Sequence, residues 1–154
     1  MISGKQPLKA GPWVPERFSC RIYGVLLRPA QVNPQVLMTR SRFIQREFVN
    51  FPGGGVDLGE APIEALRREY QEETGVIIKP VRVLYASEQA HVSTHAPMQI
   101  VSVYWLVEHD GGLLADGGNN DDVIDLFWAD IDKIPTDEMF PSDLEFARLL
   151  PALL

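Results

Sequence analysis

The chain has 154 residues, enough for one domain with a substantial hydrophobic core. Hydrophobic residues make up 45% and charged residues 23%, an ordinary globular balance that argues against any long disordered tract. With 14 basic against 21 acidic residues the net charge is -7, which argues against a broad, sequence-independent grip on nucleic acid; a phosphate-bearing ligand stays open, because divalent cations invert local charge.

In chain order, Met1–Glu16 is rich in Pro and Gly and lacks periodicity, so it reads as an irregular arm ahead of a single domain over 17–154. The arm has no apolar run after its charges and does not read as a signal peptide. Phe18–Leu27 is a strand, stopped by Arg28-Pro29, and Gln35–Ser41 is its hairpin partner beyond a turn. Arg42–Phe51 is ambiguous, with a short strand at Val49–Phe51. The glycines Gly53, Gly54 and Gly55 form a loop, followed by a helix from Pro62 to Thr74 with Gly75 at its C-terminal cap. Val76–Gln89 and Met98–His109 are rich in β-branched residues and read as strands joined by the loop Ala90–Pro97. Asp110–Asp122 is a polar, Gly-rich loop, and Val123–Asp130 a further strand. Ser142–Leu154 is an amphipathic helix with Ser142 as N-cap. The expected fold class is α/β, a mixed sheet sandwiched between helices. Cys20 is the only cysteine, which excludes an internal disulfide and a cysteine zinc site. No stretch approaches the roughly 18 apolar residues of a membrane span, so no membrane partner and a cytoplasmic location are expected.

The central helix carries the chemistry. At 100° per residue, Glu69, Glu72 and Glu73 fall on one arc of roughly 100°, with Ala65 inside it leaving room above the carboxylates. Ile63, Leu66 and Tyr70 make a separate apolar stripe for the sheet; Glu64, Arg67 and Gln71 face solvent, and Arg68 borders the acids. The i, i+4 series Glu64, Arg68, Glu72 is also what surface ion pairing would produce. Three acids on one arc served by one arginine instead suit hard oxygen ligation of Mg2+ or Mn2+. The glycines allow close approach of a ligand or ion to main-chain oxygens, or simply a tight turn.

Gly54, Glu60, Arg68-Glu69, Tyr70, Glu72-Glu73, Gly75 and Val76 resemble the signature of the Nudix hydrolase family. All seven fixed positions match; Tyr70 stands where an aliphatic residue is more usual. The resemblance covers Gly54 to Val76. It implies a Nudix-type α/β/α sandwich and Mg2+-dependent hydrolysis of a nucleoside diphosphate linked to another group, a nucleoside triphosphate or a nucleotide sugar such as ADP-ribose. It further implies Glu69, Glu72 and Glu73 as metal ligands with the Gly54 carbonyl, Arg68, Glu69 and Glu72 as the catalytic set, and Glu60 as a support of the loop. Members often add an acid from another loop, for which Asp121 and Asp122 are the candidates beside an ordinary polar turn, with Glu88 behind them.

Arg40, Arg42 and Arg46 could meet substrate phosphates or be exposed hairpin charge. Trp13, Phe18, Tyr23, Tyr85 and Tyr104 could stack a base or fill the core, and His91 and His95 could touch phosphate or be plain loop residues. The expected partner is a small-molecule nucleotide; nucleic acid is not. The arm and the last helix are candidate elements of a homodimer. A non-catalytic nucleotide- or protein-binding module and an RNA 5′-end pyrophosphohydrolase are the alternative functions.

Overall fold

A computed structural model describes residues 11–43, 45–119 and 121–154. Among these, β1 (Arg17–Arg28) is the central strand. It runs parallel to β7 (Met98–Gly112), which pairs antiparallel with β5 (Val76–Ala86) and with the short β6 (His91–Val92). At its far end β1 meets β2 (Gln35–Phe43) antiparallel, with Leu27 opposite Val36. β2 in turn carries β3 (Arg46–Asn50) on one side and β8 (Val123–Asp130) on the other. β4 (Gly53–Gly55) pairs with β1, setting Arg21 opposite Gly55 and Tyr23 opposite Gly53.

The period of two along β1 sends its side chains to opposite faces. Ile22 and Leu26 join Leu37, Val107 and the helix residues Ala65, Leu66 and Tyr70 in one buried cluster. Tyr23 and Val25 join Val36, Met38, Phe51, Tyr104 and the helix residues Phe146, Ala147 and Leu150 in another. The mixed sheet therefore lies between α1 (Pro62–Thr74) and α2 (Pro141–Leu153), the expected sandwich.

α1 begins and ends as its sequence dictates. Pro62 occupies the first turn, where its missing N–H costs nothing. Ala61 supplies no side-chain cap, but the Glu64 carboxylate accepts the Ala61 N–H at 3.4 Å. Gly75 closes the helix in the left-handed region, φ 80°, and its N–H donates to Gln71 O at 2.9 Å.

Several expectations are corrected. Ala65 does not leave space beside the acids; it is fully buried against the sheet. α2 starts at Pro141, not at Ser142, because proline's fixed φ suits the first helical position; Phe140 precedes it without a side-chain cap, and Ser142 is buried. The ambiguous stretch after β2 is a hairpin, turned at Gln45 with φ 61°. Of the expected arm, residues 1–10 lie outside the described residues; Glu16 N–H bonds Pro97 O at 2.9 Å. The apolar side of α2 packs into the core through Phe146, Ala147 and Leu150. Among the described residues no helix is long and apolar enough to cross a membrane.

Candidate functional site

The glycine strand and the acidic side of α1 are in direct contact. A Cβ at Gly54 would stand 2.7 Å from Glu69 Cδ and 3.0 Å from both carboxylate oxygens, so Glu69 occupies the space that any larger residue would fill. Gly53 N–H donates to Glu73 Oε2 at 3.1 Å. Gly53 itself has φ 150°, and a side chain there would run into Ile22 O at 2.1 Å.

Arg68 ties the acids together. Its Nε donates to Glu60 Oε2 at 2.7 Å and its Nη2 to Glu60 Oε1 at 3.0 Å, a forked pair of the kind a planar guanidinium favours. Nη1 reaches Glu69 at 2.9 Å and Glu72 at 3.5 Å. Glu60 also accepts the Asp57 N–H at 3.2 Å, which closes the loop ahead of the helix. The forked pair with Arg68 holds the Glu60 carboxyl below the ordinary range.

The three helix acids occupy different environments. Glu72 is exposed. Glu69 is partly buried, and desolvation pushes its carboxyl up against the opposing pull of Arg68. Glu73 was expected to face away from the core, and here the structure corrects the helical wheel: it is only 9% exposed, because β4 closes over that flank of α1. Burial pushes its carboxyl far up; the Gly53 N–H opposes this, and the charges of Glu69 and Asp122 add to it. Among the described residues no three such side chains converge on one point as they stand.

Beside this acidic face lies a pocket of about 280 Å³. Its apolar walls come from Phe43 and Phe48 of the β2–β3 hairpin, Phe140 ahead of α2, and Met98 and Ile100 of β7. His95 packs edge-on between Phe43 and Phe140, with ring centroids 4.8 and 5.7 Å away. Polar groups enter from Arg21, Tyr23, Asn50, Asp122 and Asp143. Asp143, at the start of α2, accepts the Tyr104 hydroxyl at 2.6 Å, and burial pushes its carboxyl up to about 6.

The sequence candidates divide accordingly. Asp122 lines the pocket and acts electrostatically on Glu73, whereas Asp121 is exposed and its N–H donates to Asn119 Oδ1. Arg42 lines the pocket rim and pairs with Glu47 at 3.5 Å. Arg40 is turned away, forked onto Glu138 at 2.5 and 3.3 Å and set over the Phe127 ring, and Arg46 lies exposed on the hairpin. Glu88 is exposed. Of the aromatic candidates only Tyr23 lines the pocket; Tyr104 stacks on Phe146 at 3.9 Å in the core, Tyr85 donates to Glu145, and Trp13 and Phe18 are exposed. His91 binds Glu145 at 2.8 Å, while His95 is a pocket wall. Sequence reasoning missed Phe43, Phe48, Phe140, Asn50, Asp143 and Arg21. One signal existed for Arg21: it shares strand parity with Tyr23 and Val25, so a charge stands at an inward position.

A family model described as the NUDIX domain matches residues 21–150. The chain belongs to the Nudix family. The contacts around Gly54, Glu60, Arg68, Glu69 and Glu73 are thus contacts within its Nudix box. An RNA pyrophosphohydrolase of Stenotrophomonas maltophilia (strain K279a) is 45% identical over 47 residues, which are 30% of this chain and 23% of the relative, so the match spans less than a quarter of that relative's length. Among solved structures, a NUDIX hydrolase from Nitrosomonas europaea superposes with a TM-score of 0.69 at 18% identity, over 88% of this chain and 89% of the other. An ADP-ribose pyrophosphatase from Streptococcus suis 89-1591 gives 0.61 at 15% identity, over 88% of each chain. At these identities the two structures share the Nudix fold with this chain.

Proposed function

We propose that this Nudix protein is a divalent-metal-dependent pyrophosphohydrolase of nucleoside diphosphate derivatives, with the nucleoside in the aromatic pocket and the diphosphate across the acidic side of α1. The observation that carries the reading is the adjacency of the two: Asp122 belongs to the pocket wall and is close enough to Glu73 to shift its titration. A nucleoside triphosphate or a nucleotide sugar such as ADP-ribose has both parts, a flat ring and a linked diphosphate. The pocket, walled by Phe43, Phe48, Phe140 and His95, has the apolar faces and few polar groups that a base requires.

The donor set fits Mg2+ or Mn2+. Glu69, Glu72, Glu73 and the Gly54 carbonyl are all hard oxygen donors, and burial together with the charges of Glu69 and Asp122 opposes ionisation of Glu73 until a cation compensates. A cation there relieves a repulsion that Arg68 and the Gly53 N–H only partly offset. When bound, such ions would supply charge neutralisation at the diphosphate and activation of the attacking water. The chain's own part is to hold the donors. Arg68 steadies Glu69, Glu60 braces Arg68 and the loop, and Gly54 leaves the space in which the Glu69 carboxylate sits. Water adds to one phosphorus, the bridging P–O bond breaks, and two phosphate-ended fragments and a proton are released.

A second reading, removal of pyrophosphate from RNA 5′ ends, is favoured by the name of the Stenotrophomonas relative. Against it stands the net charge of -7, which gives little grip on a polynucleotide. The test is product analysis on a panel of nucleoside triphosphates, nucleotide sugars and 5′-triphosphorylated RNA with Mg2+, run beside Glu72→Gln. Turnover of a mononucleotide derivative that the variant loses supports the proposal. Turnover of RNA alone replaces it with the second reading. Binding without turnover in either protein makes the chain a non-catalytic module.

A further inference from the structure

Among the described residues, Arg21 is the cation of the pocket that no carboxylate pairs with. It projects from β1 on the face of Tyr23 and Asp143, and it is partly buried. Its Nε donates to the Tyr23 hydroxyl at 2.6 Å, which fixes the plane of the guanidinium. Tyr23 is itself stacked on Tyr104 at 5.3 Å and only 2% exposed, so the anchor is rigid. Beyond that bond, Arg21 makes no hydrogen bond or ion pair among the described residues. Its Nη1 lies 3.7 Å from where a Cβ would stand on Gly55, so the free end of the fork points to the glycine strand. Asp143 on one side, and Glu69 and Glu73 on the other, feel its charge.

This placement differs from that of the other arginines near the site. Arg68 is spent on Glu60 and Glu69. Arg42 stands at the rim, exposed and paired with Glu47. Arg21 alone sits at the seam between the base pocket and the Nudix box with donors to spare. A partly desolvated guanidinium with two unused N–H edges is built for a planar or tetrahedral oxyanion, which it takes in a forked grip. The oxyanion of a nucleotide that falls at that seam is the phosphate carried directly on the nucleoside.

We infer that Arg21 grips the phosphate attached to the nucleoside and thereby sets the register of the diphosphate along the acidic side of α1. The inference rests on the pocket being the nucleoside site. Arg21 acts as a binding and positioning residue, and it makes the nucleoside monophosphate unit, more than the group beyond it, the recognised part of the substrate.

The test is titration calorimetry on metal-free protein with paired probes, adenosine against AMP and guanosine against GMP. The wild-type chain binds one monophosphate more tightly than its nucleoside. Arg21→Met erases that preference, by about ten- to hundred-fold as for lost hydrogen bonds to a charged group, while nucleoside affinity stays the same. Arg21→Lys, which keeps the charge but not the fork, falls between and serves as the informative variant if Arg21→Met does not fold. A preserved monophosphate preference in the folded variants overturns the inference, as does an equal loss for nucleoside and monophosphate. A wild-type chain that binds neither member of either pair overturns the pocket reading and this inference with it.

Discussion

A methyl group on Gly24 would stand 2.7 Å from Cε2 of the Tyr70 ring. The bare position in the middle of β1 thus lies under the aromatic residue that α1 carries where the Nudix signature more often has an aliphatic one. Strand and helix approach closely because one of them has no side chain at the contact. Gly24→Ala should cost about 1–3 kcal/mol by overpacking. Tyr70→Leu in the same background should recover part of the loss, so urea denaturation of the two single variants and the double variant should show coupling. Additive effects would mean that the two residues do not share the space. The Tyr70 hydroxyl is buried with no hydrogen-bond partner among the described residues, so Tyr70→Phe should leave stability unchanged or raise it.

Glu73 and Gly53 give a prediction that depends on the difference between a lost acceptor and a lost charge. Glu73→Gln keeps an oxygen for the Gly53 N–H and removes a carboxyl whose ionisation burial opposes, so the melting temperature should hold or rise while turnover falls by orders of magnitude. Glu73→Ala leaves that N–H unpaired and should cost about 1–3 kcal/mol. Equal stability of the two variants would show that the bond does not form in solution.

Gly54→Ala should separate activity from folding. The atoms in the way are the far end of the Glu69 side chain, which can swing aside at little cost, but it would then leave its position beside the glycine strand. The expected result is a small change in melting temperature with a large drop in kcat. Retained turnover would show that the position of Glu69 against Gly54 does not matter for the chemistry.

Asp143 sets a pH dependence of stability. Burial raises its folded value to about 6 from 3.8, so the folded state binds its proton more tightly than the unfolded chain does. The stabilising contribution of the protonated form is full below pH 3.8 and is lost as pH rises through about 6. Relative to Asp143→Asn, which stays neutral, the wild-type chain should lose up to about 3 kcal/mol between pH 4 and pH 7. A difference in stability that is flat over this range would place the Asp143 carboxyl in contact with water.

The sequence by itself determined the segments whose structure is set within a few turns of chain. α1 runs from Pro62 to Thr74 as its proline, its apolar spacing and Gly75 require, and β8 spans Val123–Asp130 as its β-branched and aromatic run requires. The spacing of Gly54, Glu60, Arg68, Glu69, Glu72 and Glu73 also disclosed the family, because a helix puts residues three and four apart on one side whatever surrounds it. What covers that side is not a local property. A helical wheel put Ala65 among the acids and turned Glu73 to the open, whereas Ala65 is buried in the cluster against the sheet and β4 closes over the flank of α1, leaving Glu73 on the Gly53 N–H. The pocket is less local still: Arg21 comes from β1, Phe43 and Asn50 from the β2–β3 hairpin, Asp122 from the loop before β8 and Asp143 from α2. Parallel pairing of β1 with β7, and α2 packed on the far face, bring these together across most of the chain. Spacing along a sequence encodes which residues share a helix face; only the packing of distant strands decides which of them face a ligand, which face water and which are left with an unused hydrogen bond.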